Sequence, residues 1–174
     1  MTLKKIKIID VIFVFVLSFL WHFAYDLIPN NFTALFFPVN ESIWEHMKII
    51  YFTLIIGSLL EILLAKRFKI KLNNKLIEMV TKSCVGVIFY LLIFIPVYLI
   101  IGENMIFAIS LMLITYVLME LLGFKIATSA ELDIKIMPII ILVLGFILFA
   151  ILTFYPPHTF LFFDEIKLGY GILK

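Results

Sequence analysis

The 174-residue sequence is short of charge and of cysteine. Asp, Glu, Lys and Arg make up 15% of it, and Cys84 is its one cysteine. A single cysteine excludes an intrachain disulfide framework and any CxxC metal or redox motif. With so little charge against 64% hydrophobic residues, 19 Phe and a mean hydropathy of +1.20, a soluble domain is excluded, because a chain of this length could not hide that much apolar surface. No small-x-small cleavage site follows the first apolar stretch, so Lys4, Lys5 and Lys7 introduce a retained helix rather than a signal peptide. There is no internal repeat, no low-complexity tract, no HxxxH pair and no ATPase or kinase motif.

What is present is a series of long apolar runs. A transmembrane helix needs about 20 mostly apolar residues, and the sequence offers five such segments, near 8–28, 46–65, 77–101, 104–124 and 136–155. Segment 83–102 has no charged residue, and 136–155 runs uncharged from Ile136 to Tyr155. A barrel strand would be about 10 residues of alternating pattern, whereas these runs are continuous and rich in Leu, Ile and Phe. The expected fold is therefore all-α: a polytopic bundle of about five transmembrane helices forming a single domain over 1–174. Pro96 predicts a kink in the third helix, while Pro138 falls harmlessly in the first turn of the fifth.

Basic residues orient the bundle. Lys4, Lys5, Lys7, Lys66, Arg67, Lys69, Lys71, Lys75, Lys125 and Lys135 flank one side, with Lys82 at the same end of helix three, and Lys48, Lys167 and Lys174 fall opposite. By the positive-inside rule the N-terminus is cytoplasmic and the C-terminus outside. The net charge of +2 is spent on topology in short loops, which leaves no basic patch for nucleic acid.

On that topology the three histidines, His22, His46 and His158, arrive at the outer edge, each with carboxylates nearby. Helix one ends Trp21-His22-Phe23-Ala24-Tyr25-Asp26, placing His22 and Asp26 one turn apart on one face within the outer hydrocarbon, where ionisable groups face the bundle and pair. The pair either locks helix one to its neighbours or holds a ligand, since a carboxylate behind a histidine is how zinc ligands are oriented. Before helix two comes Asn40-Glu41-Ser42-Ile43-Trp44-Glu45-His46. Ser42 with Glu45 fits a capping box, Asn40 is a second possible cap and Trp44 reads as an interfacial anchor, but capping requires neither Glu41 nor His46. After helix five, Pro156-Pro157 stop the helix, set His158 just above the bundle and allow an aromatic tail to bring Asp164 over the helix ends. Gly169-Tyr170-Gly171 is only a turn signal. On the inner half lie Glu61, Glu78 at the start of helix three, and Glu120; Glu61 and Glu120 interrupt apolar runs at similar depth and share a proton, meet Lys82 or snorkel to the edge.

The Asn40–His46 motif, the Phe154–Asp164 tail with Phe154-Tyr155-Pro156-Pro157-His158, and the ending Gly169-Tyr170-Gly171-Ile172 resemble, over nearly the whole length, a family of small uncharacterised bacterial multi-pass membrane proteins labelled only as a domain of unknown function. The resemblance implies a bacterial plasma membrane and names no reaction. Two function classes follow from the residues. One is a metal-dependent membrane hydrolase acting on a lipid or lipid-linked substrate at the outer leaflet. In it His22, His46, His158 and Asp164 are candidate ligands for zinc or another divalent cation, and Glu41, Glu45 and Asp26 are candidate acid/base or orienting groups. Its logic is similar to that of alkaline ceramidase and related membrane hydrolases, without their HxxxH. The other class is non-catalytic: a transporter, sensor or accessory subunit binding a cation, a small solute or a partner membrane protein, with haem held by two histidines as a minor variant.

Overall fold

In the computed structural model, which describes residues 1–173, five helices account for most of the chain: α1 (Leu3–Leu27), α2 (Ile43–Arg67), α3 (Lys75–Ile101), α4 (Met105–Thr128) and α5 (Ile136–Phe154). All five are long and apolar enough to cross a membrane. Lys174, counted above among the basic residues, lies outside the described residues. Because the helices alternate in direction, the N-terminus and the α2–α3 and α4–α5 connections share one end of the bundle, hereafter the N-face. The long first loop, the α3–α4 turn and the C-terminal tail share the other, the C-face.

Helix limits follow local chemistry. Thr2 caps α1, its hydroxyl accepting from Lys5 N at 3.4 Å, so the helix begins well before residue 8 and takes Lys4, Lys5, Lys7 and Asp10 into its first turns. Ser42 caps α2 by accepting from Glu45 N at 3.3 Å, and Asn104 caps α4 by accepting from Phe107 N at 2.9 Å. Gly102, at φ 74°, supplies the left-handed residue that ends α3. Pro96 lies inside α3, which runs on as one element to Ile101.

Helix α2 is central, packed on α1 and α3, and α4 closes the ring against both of those. Val14, Met47, Ile50, Leu54, Tyr90, Tyr116 and Met119 belong to the main core. Helix α5 lies against α3 and the first loop, and Tyr51 of α2 reaches across to donate to the Leu142 carbonyl at 2.6 Å. That reach needs Gly145, where a Cβ would sit 2.6 Å from the Tyr51 hydroxyl. The outward faces, such as Ile8, Ile12, Val16 and Leu20 on α1, are exposed apolar surface suited to lipid. On the N-face Asn74 joins the two connectors, donating to Ala130 O at 2.9 Å and accepting from Leu132 N at 2.8 Å.

The C-face is folded rather than loose. After α5 a 3-10 turn (Phe160–Phe162) leads into a two-stranded antiparallel hairpin, β1 (Phe163–Asp164) with β2 (Gly169–Tyr170), in the register Phe163 to Tyr170. Asn40 donates to the Gly171 carbonyl at 2.8 Å, and Asp164 accepts from the backbone N–H of Glu41 at 3.0 Å, so tail and first loop hold each other.

Candidate functional site

Two polar sites occupy the bundle, one at each end of the same core. At the C-face, His22 near the end of α1 and His46 in the first turn of α2 stack with ring centroids 5.2 Å apart and planes 18° from parallel. Glu41, just ahead of the Ser42 cap, places one carboxylate oxygen 3.8 Å from His22 Nε2 and the other 3.3 Å from His46 Nε2. Glu41 is held by its own backbone through Asp164 and by the sharp entry into α2. The hydrogen-bonding contact with the His46 ring, against burial acting the other way, holds its carboxyl below the usual carboxylate range.

The chemistry of this trio turns on one hydrogen bond. His46 Nδ1 lies 2.9 Å from the Ser42 carbonyl, and since a carbonyl only accepts, Nδ1 carries the proton. In a neutral ring Nε2 then presents a lone pair to a carboxylate, acceptor facing acceptor. A positive charge between them, a proton or a metal ion, resolves the conflict. A backbone carbonyl behind a histidine is also the arrangement that fixes Nε2 as a metal ligand. One ligand atom from each of His22, Glu41 and His46 lies within 4.8 Å of the others. A cavity of about 330 Å³ opens beside the trio and descends to Ser18 and Tyr90, with Met112 and other apolar side chains on its walls and Glu103 at its edge.

Other residues singled out from the sequence do different work. His158 is exposed and stacks on Tyr170 at 4.4 Å, away from the trio, so the expectation of three converging histidines is corrected to two. Proline fixed its depth but not its lateral position. Asp26 is exposed and forms no part of the trio. Glu45 is a structural hub: its oxygens accept from Val39 N at 3.0 Å and Thr153 Oγ1 at 2.7 Å, and pair with Lys48 at 2.7 Å. Asp164 is a backbone acceptor, taking Ile166 N and Lys167 N as well as Glu41 N. Trp44, expected as an interfacial anchor, is packed between Phe149 and Phe162. Asn40 accepts from Ser42 N at 2.9 Å and anchors the tail. Lys48, expected as a flanking charge, is fully buried and donates to Ala34 O at 2.8 Å.

Toward the N-face lies a buried charge cluster. Lys82 Nζ meets Glu120 at 2.6 Å, Glu61 at 2.9 Å, and Asp10 and Glu78 at 3.5 Å. Lys7 meets Glu61 at 2.6 Å, Glu120 at 3.2 Å and Glu78. Glu61 and Glu120 thus meet Lys82, as one of the expected alternatives had it, rather than snorkel, and Glu78 joins them. Lys7, read above as a flanking charge, is buried among them, and Asp10 joins them unannounced. Between the two sites Tyr116 bridges Ser18 and Thr53, and below it Val14, Leu54 and Met119 fill the core.

A five-helix polytopic membrane protein with a histidine–carboxylate site at one face is the class that the fold and site define. The chain belongs to the family of unknown function DUF6512, which it matches over residues 1–172. No curated protein and no solved structure matches it.

Proposed function

We propose that the protein is a non-catalytic membrane protein that binds a divalent transition-metal cation at His22, Glu41 and His46 and admits it to the bundle as a transporter. The observation that carries this reading is the convergence of His22 Nε2, His46 Nε2 and the Glu41 carboxylate, with His46 Nδ1 committed to the Ser42 carbonyl so that Nε2 is the ring atom left to meet a positive charge. Two imidazoles and a carboxylate with open positions suit zinc-like ions. Transport is favoured over a fixed structural metal because the site opens into a cavity that runs down the helix interface to Ser18, with further buried polar groups beyond. The positive-inside rule applied to the basic connectors supports a cytoplasmic N-face and a site that faces outward from a plasma membrane, bacterial as the resemblance implies.

The test is zinc binding to purified protein by calorimetry and metal analysis. We expect one saturable site per chain, weakened at least about tenfold by His22→Ala, Glu41→Gln or His46→Ala, and unaffected by His158→Ala. Zinc binding that survives all three substitutions, or none in the parent protein, overturns the reading. Zinc uptake into proteoliposomes then separates transport from sensing. A hydrolytic reading retains one supporting observation, that Glu103 lines the same largely apolar cavity and is the carboxylate left to act as general base; lipid cleavage lost in Glu103→Gln would establish it.

A further inference from the structure

The N-face cluster is independent of the metal reading. Six ionisable side chains meet there from four helices: Lys7 and Asp10 of α1, Glu61 of α2, Glu78 and Lys82 of α3, and Glu120 of α4. All are at most 5% exposed. Four carboxylates face two ammonium groups, an excess of two negative charges in a place where even one uncompensated charge is expensive. The excess is not shared evenly. Glu61 and Glu120 each contact both ammonium groups at 3.2 Å or less, and Glu78 contacts both, more closely at Lys7. Asp10 touches one, Lys82, at 3.5 Å. Its other oxygen, Oδ1, is fully buried with no hydrogen-bond partner. One oxygen each of Asp10, Glu61 and Glu120 lies within 4.8 Å of the others, so three ionised carboxylates here repel one another and a proton on one of them relieves the repulsion.

We propose that this cluster is a proton-binding site, with Asp10 as the carboxyl that takes up and releases the proton, which halves the excess to one negative charge spread over the three carboxylates that each contact both ammonium groups. A metal cation is disfavoured because the Lys82 ammonium already stands among the same three carboxylates. Exchange occurs through the N-face: Lys7 and Glu78 lie within the first turns of α1 and α3, whereas fully buried Val14 and Leu54 seal the cluster from the C-face. Gly57 shapes the site, since a Cβ there would lie 2.6 Å from Asp10 Oδ1. Such a site gives the membrane protein a means of responding to proton concentration on the N-face side.

The experiment is infrared spectroscopy of the full chain in phosphatidylethanolamine–phosphatidylglycerol vesicles, reading the C=O stretch of protonated carboxyl groups, which shifts in D2O. The parent protein should show this band at neutral pH and lose it reversibly in alkali. Asp10→Asn, which mimics the protonated acid, should fold and abolish the titrating band, while substitution of exposed Asp26 by Asn should leave it intact. No protonated-carboxyl band in the parent protein at neutral pH overturns the proposal whether or not the variants fold. So does a band that persists unchanged in Asp10→Asn, or one erased by sodium chloride but not by choline chloride, which would assign the missing charge to a metal ion.

Discussion

The Tyr116 hydroxyl lies 2.6 Å from Ser18 Oγ, at a level between the two polar sites, and a second contact at 3.0 Å reaches Thr53 Oγ1. Ser18 also faces the Val14 carbonyl at 2.7 Å and Thr53 the Ile49 carbonyl at 2.7 Å. Four contacts thus share three hydroxyl protons, and the chain can be oriented in either direction with one carbonyl left waiting. Tyr116 is one turn from Glu120 on α4, and Ser18 one turn from His22 on α1, so the chain ties three helices together where the two sites come nearest.

Tyr116→Phe keeps the ring and removes the bridge. Ser18 and Thr53 still satisfy themselves on their own helix carbonyls, so the loss should be about 0.5–1.5 kcal/mol, read as a lower midpoint of unfolding in a denaturing detergent titration. If the variant is as stable as the parent, the bridge contributes nothing to helix association.

Lys82 should be far less tolerant. It is fully buried against four carboxylates, and replacing it with Gln removes half of the local positive charge. Breaking a buried ion pair from one side costs roughly 3–5 kcal/mol, so Lys82→Gln should yield little folded protein. Adding Glu61→Gln to it removes one of the stranded negative charges and should restore yield in part. Size-exclusion profiles of the single and double variants check this, and a double variant worse than the single would contradict the electrostatic account.

Much of this fold was legible in the apolar runs, and the Ser42 cap in its Ser-x-x-Glu spacing. The trio at the C-face was partly legible, because His22 and His46 were set at one depth by helix length. Depth is all that such reasoning delivers: His158 reached the same face and stacked on Tyr170 instead, once the tail had folded over the first loop. At the other end the meeting of Glu61 and Glu120 with Lys82 was legible from their depth, but the parts of Lys7 and Asp10 were not. Lys7 looks like any basic residue ahead of a membrane segment, and its partners Glu61 and Glu78 lie 54 and 71 residues away. Nothing in the sequence marks Asp10 as buried: in a helix beginning near residue 8 an acid there is a favourable first-turn residue, whereas the helix starts at Leu3 and carries Asp10 into the core.

The tail depends on Asp164. Its carboxylate accepts from three backbone N–H groups, two within the hairpin turn and one at Glu41. Asp164→Ala should free the hairpin and loosen Glu41, so that limited proteolysis cuts after Pro157 much faster than in the parent and zinc affinity falls along with it. Asp164→Asn keeps one acceptor oxygen and should fall between the two. Rapid cleavage with unchanged zinc affinity would show that the trio is held by α1 and α2 alone.

Gly57 sets how closely α1 and α2 approach at the charge cluster. A Cβ at this position would lie 2.5 Å from Val14 Cγ1 and 2.6 Å from Asp10 Oδ1, both too close for any real contact. Val14 and Asp10 are fully buried and cannot swing out to solvent, so Gly57→Ala must either push the helices apart or turn the carboxyl aside. Overpacking of this kind costs about 1–3 kcal/mol, partly offset by the better helix propensity of alanine. The two collisions can be separated: Val14→Ala in the same chain relieves the first and leaves the second. If the double variant recovers the stability of Val14→Ala alone but still lacks the titrating carboxyl band, Gly57 serves the Asp10 carboxyl directly. If stability and band return together, the glycine matters only for helix packing, and the shape of the site around Asp10 owes nothing to it.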